Sequence, residues 1–142
     1  MTTPRVNIDK VSQLVRGHLL AEEAVTDLVG NKIHGGWSRD SDAGTIDKPA
    51  VALIIDGGQV VHEGVVASVG LEVWCLSVDS QSEAHNLYHA VAQALHSECL
   101  SLPGFDHRGT ASEGGTGGAG WTAGAACWYA MGRWTLRVVK DT

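Results

Sequence analysis

The chain is short of most residues that announce a special class of protein. Its 142 residues include one phenylalanine, two tyrosines, three prolines and three cysteines, and only 18% are charged. The cysteines, Cys75, Cys99 and Cys127, are odd in number and follow no metal or redox spacing. A disulfide framework is therefore not expected, and a reducing compartment is. All three lie in or beside apolar segments, which suits inert buried thiols. No apolar run approaches the ~18 residues that span a bilayer. The opening stretch, Met1 to Lys10, carries no apolar signal segment, an expectation against secretion. Positive charge is scarce too: ten Lys and Arg stand against sixteen Asp and Glu, for a net charge of −6 and an isoelectric point near 5.5. Proteins that live on duplex DNA or on anionic membranes normally carry the opposite sign.

What is present is 44% hydrophobic residue at a mean hydropathy near zero, too apolar for a chain that stays unfolded. A chain of this length suits one domain and buries roughly 68–70% of its unfolded surface without staples. Eighteen glycines and five tryptophans complete an uneven composition.

Hydrophobic spacing predicts a first helix near Asp9–Leu19, with Val6, Ile8, Val11, Leu14, Val15 and Leu19 roughly on one face and Gly17 as a weak point late in its run. A second, short helix is expected over Ala21–Val29, acidic at its front and stopped by Gly30-Asn31. The polar, aperiodic stretch at about 34–48 reads as a loop carrying Trp37. A strand is expected over Ala50–Asp56, apolar on both faces, followed by a turn at Gly57-Gly58 that can extend to Gly64. Val65–Val78 alternates: Ala67, Val69, Leu71, Val73 and Cys75 share one face, and Ser68, Gly70, Glu72, Trp74 and Leu76 the other. Ser80-Gln-Ser-Glu83 is a capping box. Behind it, Ala84, Leu87, Tyr88, Val91, Ala92 and Leu95 form the apolar stripe of a helix lying on a sheet. Residues 104–124 hold eight of the eighteen glycines and read as a second loop. The C-terminal stretch alternates again, as one long strand or two broken at Gly132. The order α-α-β-β-α-β(-β) predicts an α+β fold, a largely antiparallel sheet with helices packed on one face.

Motifs for chemistry are few. His85 and His89 stand one turn apart on the expected helix, a spacing that can bind zinc. The intervening residues lack the Glu that activates water in zinc hydrolases, and the pair flanks the apolar stripe at its solvent edge, where a solvated helix face is the plainer reading. Gly114–Gly120 lacks the Lys of a phosphate loop and precedes a strand rather than a helix. Gly36-Trp-Ser-Arg-Asp40 lacks the second glycine of a nucleophile elbow. No catalytic, cofactor or metal-ligating constellation emerges. Trp74 and Trp134 fall mid-strand and suit the core. Trp37 and Trp121 fall in expected loops, where large aromatics mark either a partner surface or a local lid.

Several segments, in this order, resemble the tail-terminator or tail-completion proteins of long-tailed bacteriophages, with the lambda-like tail-terminator fold. Leu28-Val-Gly-Asn-Lys-Ile33 resembles that family's Leu-x-Gly-(Asp/Thr)-Arg-Ile corner, with Lys32 where Arg is common. Lys48-Pro-Ala-Val-Ala-Leu-Ile-Ile55 is similar to its proline-led first strand. Leu71-Glu-Val-Trp-Cys75 resembles the strand leading into the long helix, and Ser80-Gln-Ser-Glu-Ala84 through Ala90-Val-Ala-Gln-Ala-Leu95 resembles that helix. The Gly-rich stretch is longer than the family pattern.

The resemblance implies that residues 1–142 form one tail-terminator-like domain with loops at about 34–48 and 104–124. It implies a non-enzymatic structural protein of the virion tail, without cofactor. Copies would form a ring, six-fold by family expectation, that caps the tail tube, ends its elongation and joins the tail to the head-side connector protein at the head–tail junction. DNA would pass through the lumen without specific binding, and no membrane would be involved. Exposure logic names Trp37, Arg39, Trp121 and Arg133 as interface residues, since aromatics and Arg are enriched at interfaces. The competing expectation is a small metal-dependent enzyme or ligand-binding domain using His85, His89 and a third ligand such as His62 or Glu63. A monomeric domain that binds a cellular protein is a third.

Overall fold

The computed structural model describes residues 6–35, 46–61, 66–96, 99–124 and 126–141. The elements run α1 (Ile8–Leu20), α2 (Glu23–Val29), β1 (Ile33–Gly35), β2 (Ala50–Val61), β3 (Val66–Ser77), α3 (Gln81–Leu95), β4 (His107–Thr122) and β5 (Cys127–Lys140). The strands form one five-stranded sheet in the order β1-β2-β3-β5-β4. Only β1 and β2 run parallel; β2–β3, β3–β5 and β4–β5 are antiparallel. The architecture is α+β, a mostly antiparallel sheet with its helices on one face, as the hydrophobic pattern predicted.

The helices form where spacing and caps agree. The Asn7 side chain accepts from Asp9 N–H at 2.9 Å and starts α1. Val11, Leu14, Val15 and Leu19 are fully buried against the sheet, each worth ~1.5–3 kcal/mol over exposure. Gly17 packs closely under Leu102: a Cβ would stand 2.6 Å from Leu102 Cδ1 and push that side chain aside. Gly30, at φ +62°, closes α2 and returns its N–H to Thr26 O at 2.7 Å. Ser80 caps α3 by accepting from Glu83 N–H at 3.0 Å. The reciprocal half of the expected capping box is replaced. The Glu83 carboxylate takes the Ser77 hydroxyl at 2.7 Å, and Ser77 Oγ accepts the Ser80 N–H at 3.3 Å. Buried Ser77 thereby ties the end of β3 to the start of α3.

One apolar core lies between helices and sheet. It holds Ala67, Val69, Leu71, Val73 and Cys75 of β3, Leu87, Val91 and Leu95 of α3, and Trp134, Leu136 and Val138 of β5. The period-two faces predicted for β3 and β5 match this burial. A smaller cluster, Ala52, Trp74, Leu76, Cys127 and Met131, occupies the opposite, helix-free face.

Three expectations need correction. The Gly-rich stretch placed in a loop at 104–124 is mostly strand β4, which pairs along its length with β5. Glycine lowers strand propensity, but a long partner strand supplies the hydrogen bonds regardless. The chain does not turn at Gly57-Gly58; β2 bulges between Ile55 and Gly58 and continues to Val61. The expected loop at 34–48 begins inside β1, so the order gains a strand before β2. β5 is a single strand that runs through Gly132.

Candidate interaction surface

The hairpin of β4 and β5 ends in aromatics on both faces. Alternation places Trp128 on the helix side with Ala130 and Trp134, and Trp121 faces it in register. Their rings meet edge-on, centroids 5.1 Å apart, and Trp121 remains 50% exposed. On the helix-free side, Trp74 and Tyr129 stack at 5.2 Å, tilted by 42°, and Trp74 Nε1 donates to Glu72 Oε1 at 3.0 Å. Further along this open face the surface turns polar. Glu72 stands opposite Arg133 in register, beside a shallow hollow of about 250 Å³ bordered by Asp56, Gly70 and Thr135.

A larger cleft, about 720 Å³, opens at the other edge of the sheet, between α1 and the β1–β2 pair. Ile8 lines it and is 42% exposed. Arg16 Nε donates to Ile33 O at 2.6 Å and pins β1 to α1. His34 Nε2 is shut off from solvent and has no hydrogen-bond partner among the described residues.

Two polar networks hold the hairpin to the rest. Tyr88 Oη accepts from Trp134 Nε1 at 3.2 Å and donates to the Glu113 carboxylate. Partial burial, with Glu113 beside it, pushes the Tyr88 pKa up from its ordinary value. The Tyr88 ring crosses Gly132 so closely that a Cβ there would overlap it. At the base of the hairpin, buried His107 takes the Asn7 N–H on Nε2 at 3.0 Å and donates Nδ1–H to Asp106 at 2.8 Å. Lys140 adds a second contact to Asp106 at 3.2 Å. Hydrogen bonds from His107 and then Lys140 hold the Asp106 carboxyl down at about 2.

The structure places the sequence candidates unevenly. Trp37 and Arg39 lie outside the described residues, as do His62 and Glu63. Trp121 is exposed, but at the end of a strand rather than in a loop. Arg133 is exposed on the open face of β5, so the sheet holds it and Trp121 on opposite sides. His85 and His89 are exposed on α3, and among the described residues no three His, Cys, Asp or Glu side chains cluster as metal ligands. Cys75 and Cys127 are buried, and burial raises both thiol pKa values. Cys99 is exposed, against the expectation of three buried thiols. Among the described residues no helix is long and apolar enough to cross a membrane. The cleft was missed because its lining comes from three separated segments, none with a motif. The hairpin was missed too, although its turn carries a signal: Ala123-Gly124 between Trp121 and Trp128.

No family model and no curated protein sequence matches the chain. Comparison with solved structures does find the fold. The class is the small α+β sheet described above, helices on one side. A solved structure with this arrangement is a chain of the "Virion of native gene transfer agent (GTA) particle". It superposes with a TM-score of 0.66 over 92% of this chain and 93% of that one, at 19% identity. At that identity the likeness establishes shared fold.

Proposed function

We propose that the chain is a structural protein of a phage-like virion, a ring-forming subunit that caps the tail tube, stops its growth and joins it to the head-side connector. The observation that carries this reading is the fold match, nearly end to end in both chains, with a chain of a virion particle. The surface supports it. A ring needs head-to-tail contacts, so each subunit must offer two unlike patches. The aromatic hairpin tip and the α1–β2 cleft are unlike and lie at opposite edges of the sheet. A six-fold ring is the family expectation for such a cap. The net charge of −6 suits a lumen through which DNA slides, since acidic walls forgo the counterion release that binds DNA. Exposed Asp9, Glu23 and Asp27 place part of that charge on the helical side.

The test is solution mass by light scattering across concentrations, with negative-stain images of the same sample and of tail tubes mixed with it. Rings with a central hole, free or only at tube ends, are expected. A compact monomer that ignores tubes and carries stoichiometric metal would overturn the reading.

A further inference from the structure

Resting on the ring reading, we propose that neighbouring copies join edge to edge: the outer edge of β4 in one copy pairs antiparallel with the outer edge of β2 in the next, and Trp121 enters the next copy's cleft between α1 and β2. Both outer edges are partly open. β1 shields only Val51–Leu53 of β2, and among the described residues no strand covers the stretch from Ile54 to Val61. On the other side Leu100 bridges to Gly109, and among the described residues no strand lies outside β4 from Ala111 to Thr122. Such edges present rows of N–H and C=O groups that water satisfies in the monomer and that another strand can take up along their length. β4 has no lysine or proline to deter one.

Direction, face and shape agree on a second copy as the occupant. β2, β3, β5 and β4 are antiparallel in succession, so β4 runs opposite to β2. A copy turned about a ring axis therefore brings its β4 antiparallel to its neighbour's β2, with helices on the same side. Trp121 points to the helix side, and so does Ile55, which lines the cleft. Setting Trp121 opposite Ile55 puts the indole beside Ile8 and the Arg16 guanidinium, an apolar wall and a cation that favours an aromatic face. Ile55 lies level with Leu71 and Trp134, whereas Trp121 lies level with Trp128 and Ser77. Neighbours thus step by about six residues, ~20 Å along the strands; closed sheets absorb such a step as strand tilt. The bulges of β4 at Glu113/Gly115 and Thr116/Gly118 are a known device against edge pairing. They precede Ala119–Thr122 and leave that stretch in regular register with β5.

The experiment replaces Trp121 by photo-reactive benzoylphenylalanine, which keeps an aromatic there, and irradiates assembled rings or capped tube ends. Mass spectrometry then maps the cross-link. The expected product joins residue 121 of one copy to α1, β1 or the Ile54–Ile55 stretch of another. Trp121→Ser is expected to lower the melting temperature of the monomer only slightly, through the lost edge-on contact with Trp128, and to lose the ring. Rings that form but cross-link elsewhere, or join 121 to the hairpin of another copy, overturn this interface and leave the ring reading standing. Absence of any ring, free or on tube ends, overturns both.

Discussion

β4 and β5 are the two halves of one hairpin, similar in length and paired nearly throughout, yet they are strands for different reasons. β5 carries its own instruction. Ala130, Trp134, Leu136 and Val138 alternate with Tyr129, Arg133, Thr135 and Arg137, and the burial pattern follows. β4 carries little: its glycines offer no side chains to pack and cost entropy to order. It is a strand because β5 presents a complete row of hydrogen-bonding partners, and because His107, Ala111 and Glu113 reach the helix side. A strand of the first kind resists change through packing. One of the second kind tolerates change where a Cβ finds room, as at Gly114, but not at Gly109 or Gly117, where it would overlap Arg137 O and Met131 Sδ, and it stays available at its edge.

That contrast breaks or sharpens under substitution. Trp134→Ala, which empties the largest fully buried side chain of β5, should cost ~3–5 kcal/mol in denaturant unfolding. Gly132→Ala should cost ~1–3 kcal/mol, because the new Cβ displaces the Tyr88 ring from its place over the strand. Tyr88→Phe should cost about 1 kcal/mol by leaving Trp134 Nε1 without its acceptor. In an alkaline absorbance titration, one tyrosine of the wild type should stay protonated past its ordinary value of 10.0, and this variant should lack that delayed step.

The base of the hairpin should show itself in acid. The Asp106 pKa is lowered in the fold, from 3.8 to about 2, so its contribution is complete above pH ~4 and is lost as the pH falls towards 2. Asp106→Asn should flatten the unfolding midpoint within that window alone. Gly114→Ala in β4 should change stability by less than ~0.5 kcal/mol, since its Cβ would sit at an ordinary 3.6 Å from Arg133 O. A large loss there would mean that β4 is held by side-chain packing after all.

Legibility followed the same division. The helices, the faces of β3 and β5, and buried Trp74 and Trp134 were readable, because burial of one face imposes a period on the residues that make it. The capping box was half right: Ser80 caps as expected, but Glu83 serves Ser77, a residue that only the end of β3 brings near. The sequence leaves Trp121 open between a partner surface and a local lid and does not show its strand, since pairing with β5 leaves no periodic mark on a run of glycines. The cleft was invisible for a related reason. Ile8, Arg16, His34 and Ile55 are ordinary residues in separate segments, and their meeting depends on β1 running parallel to β2 beneath α1.

The sequence by itself determined the class of fold, since local spacing and caps dictate which faces must leave water and how helices must lie on the sheet. Tertiary structure alone decided that the Gly-rich stretch is an edge strand, that Trp121 and Arg133 occupy opposite faces, and that an open cleft faces the far edge. Those features depend on pairing between segments distant in the chain, and hydrogen bonds between backbones leave no signature in the side chains that a sequence records.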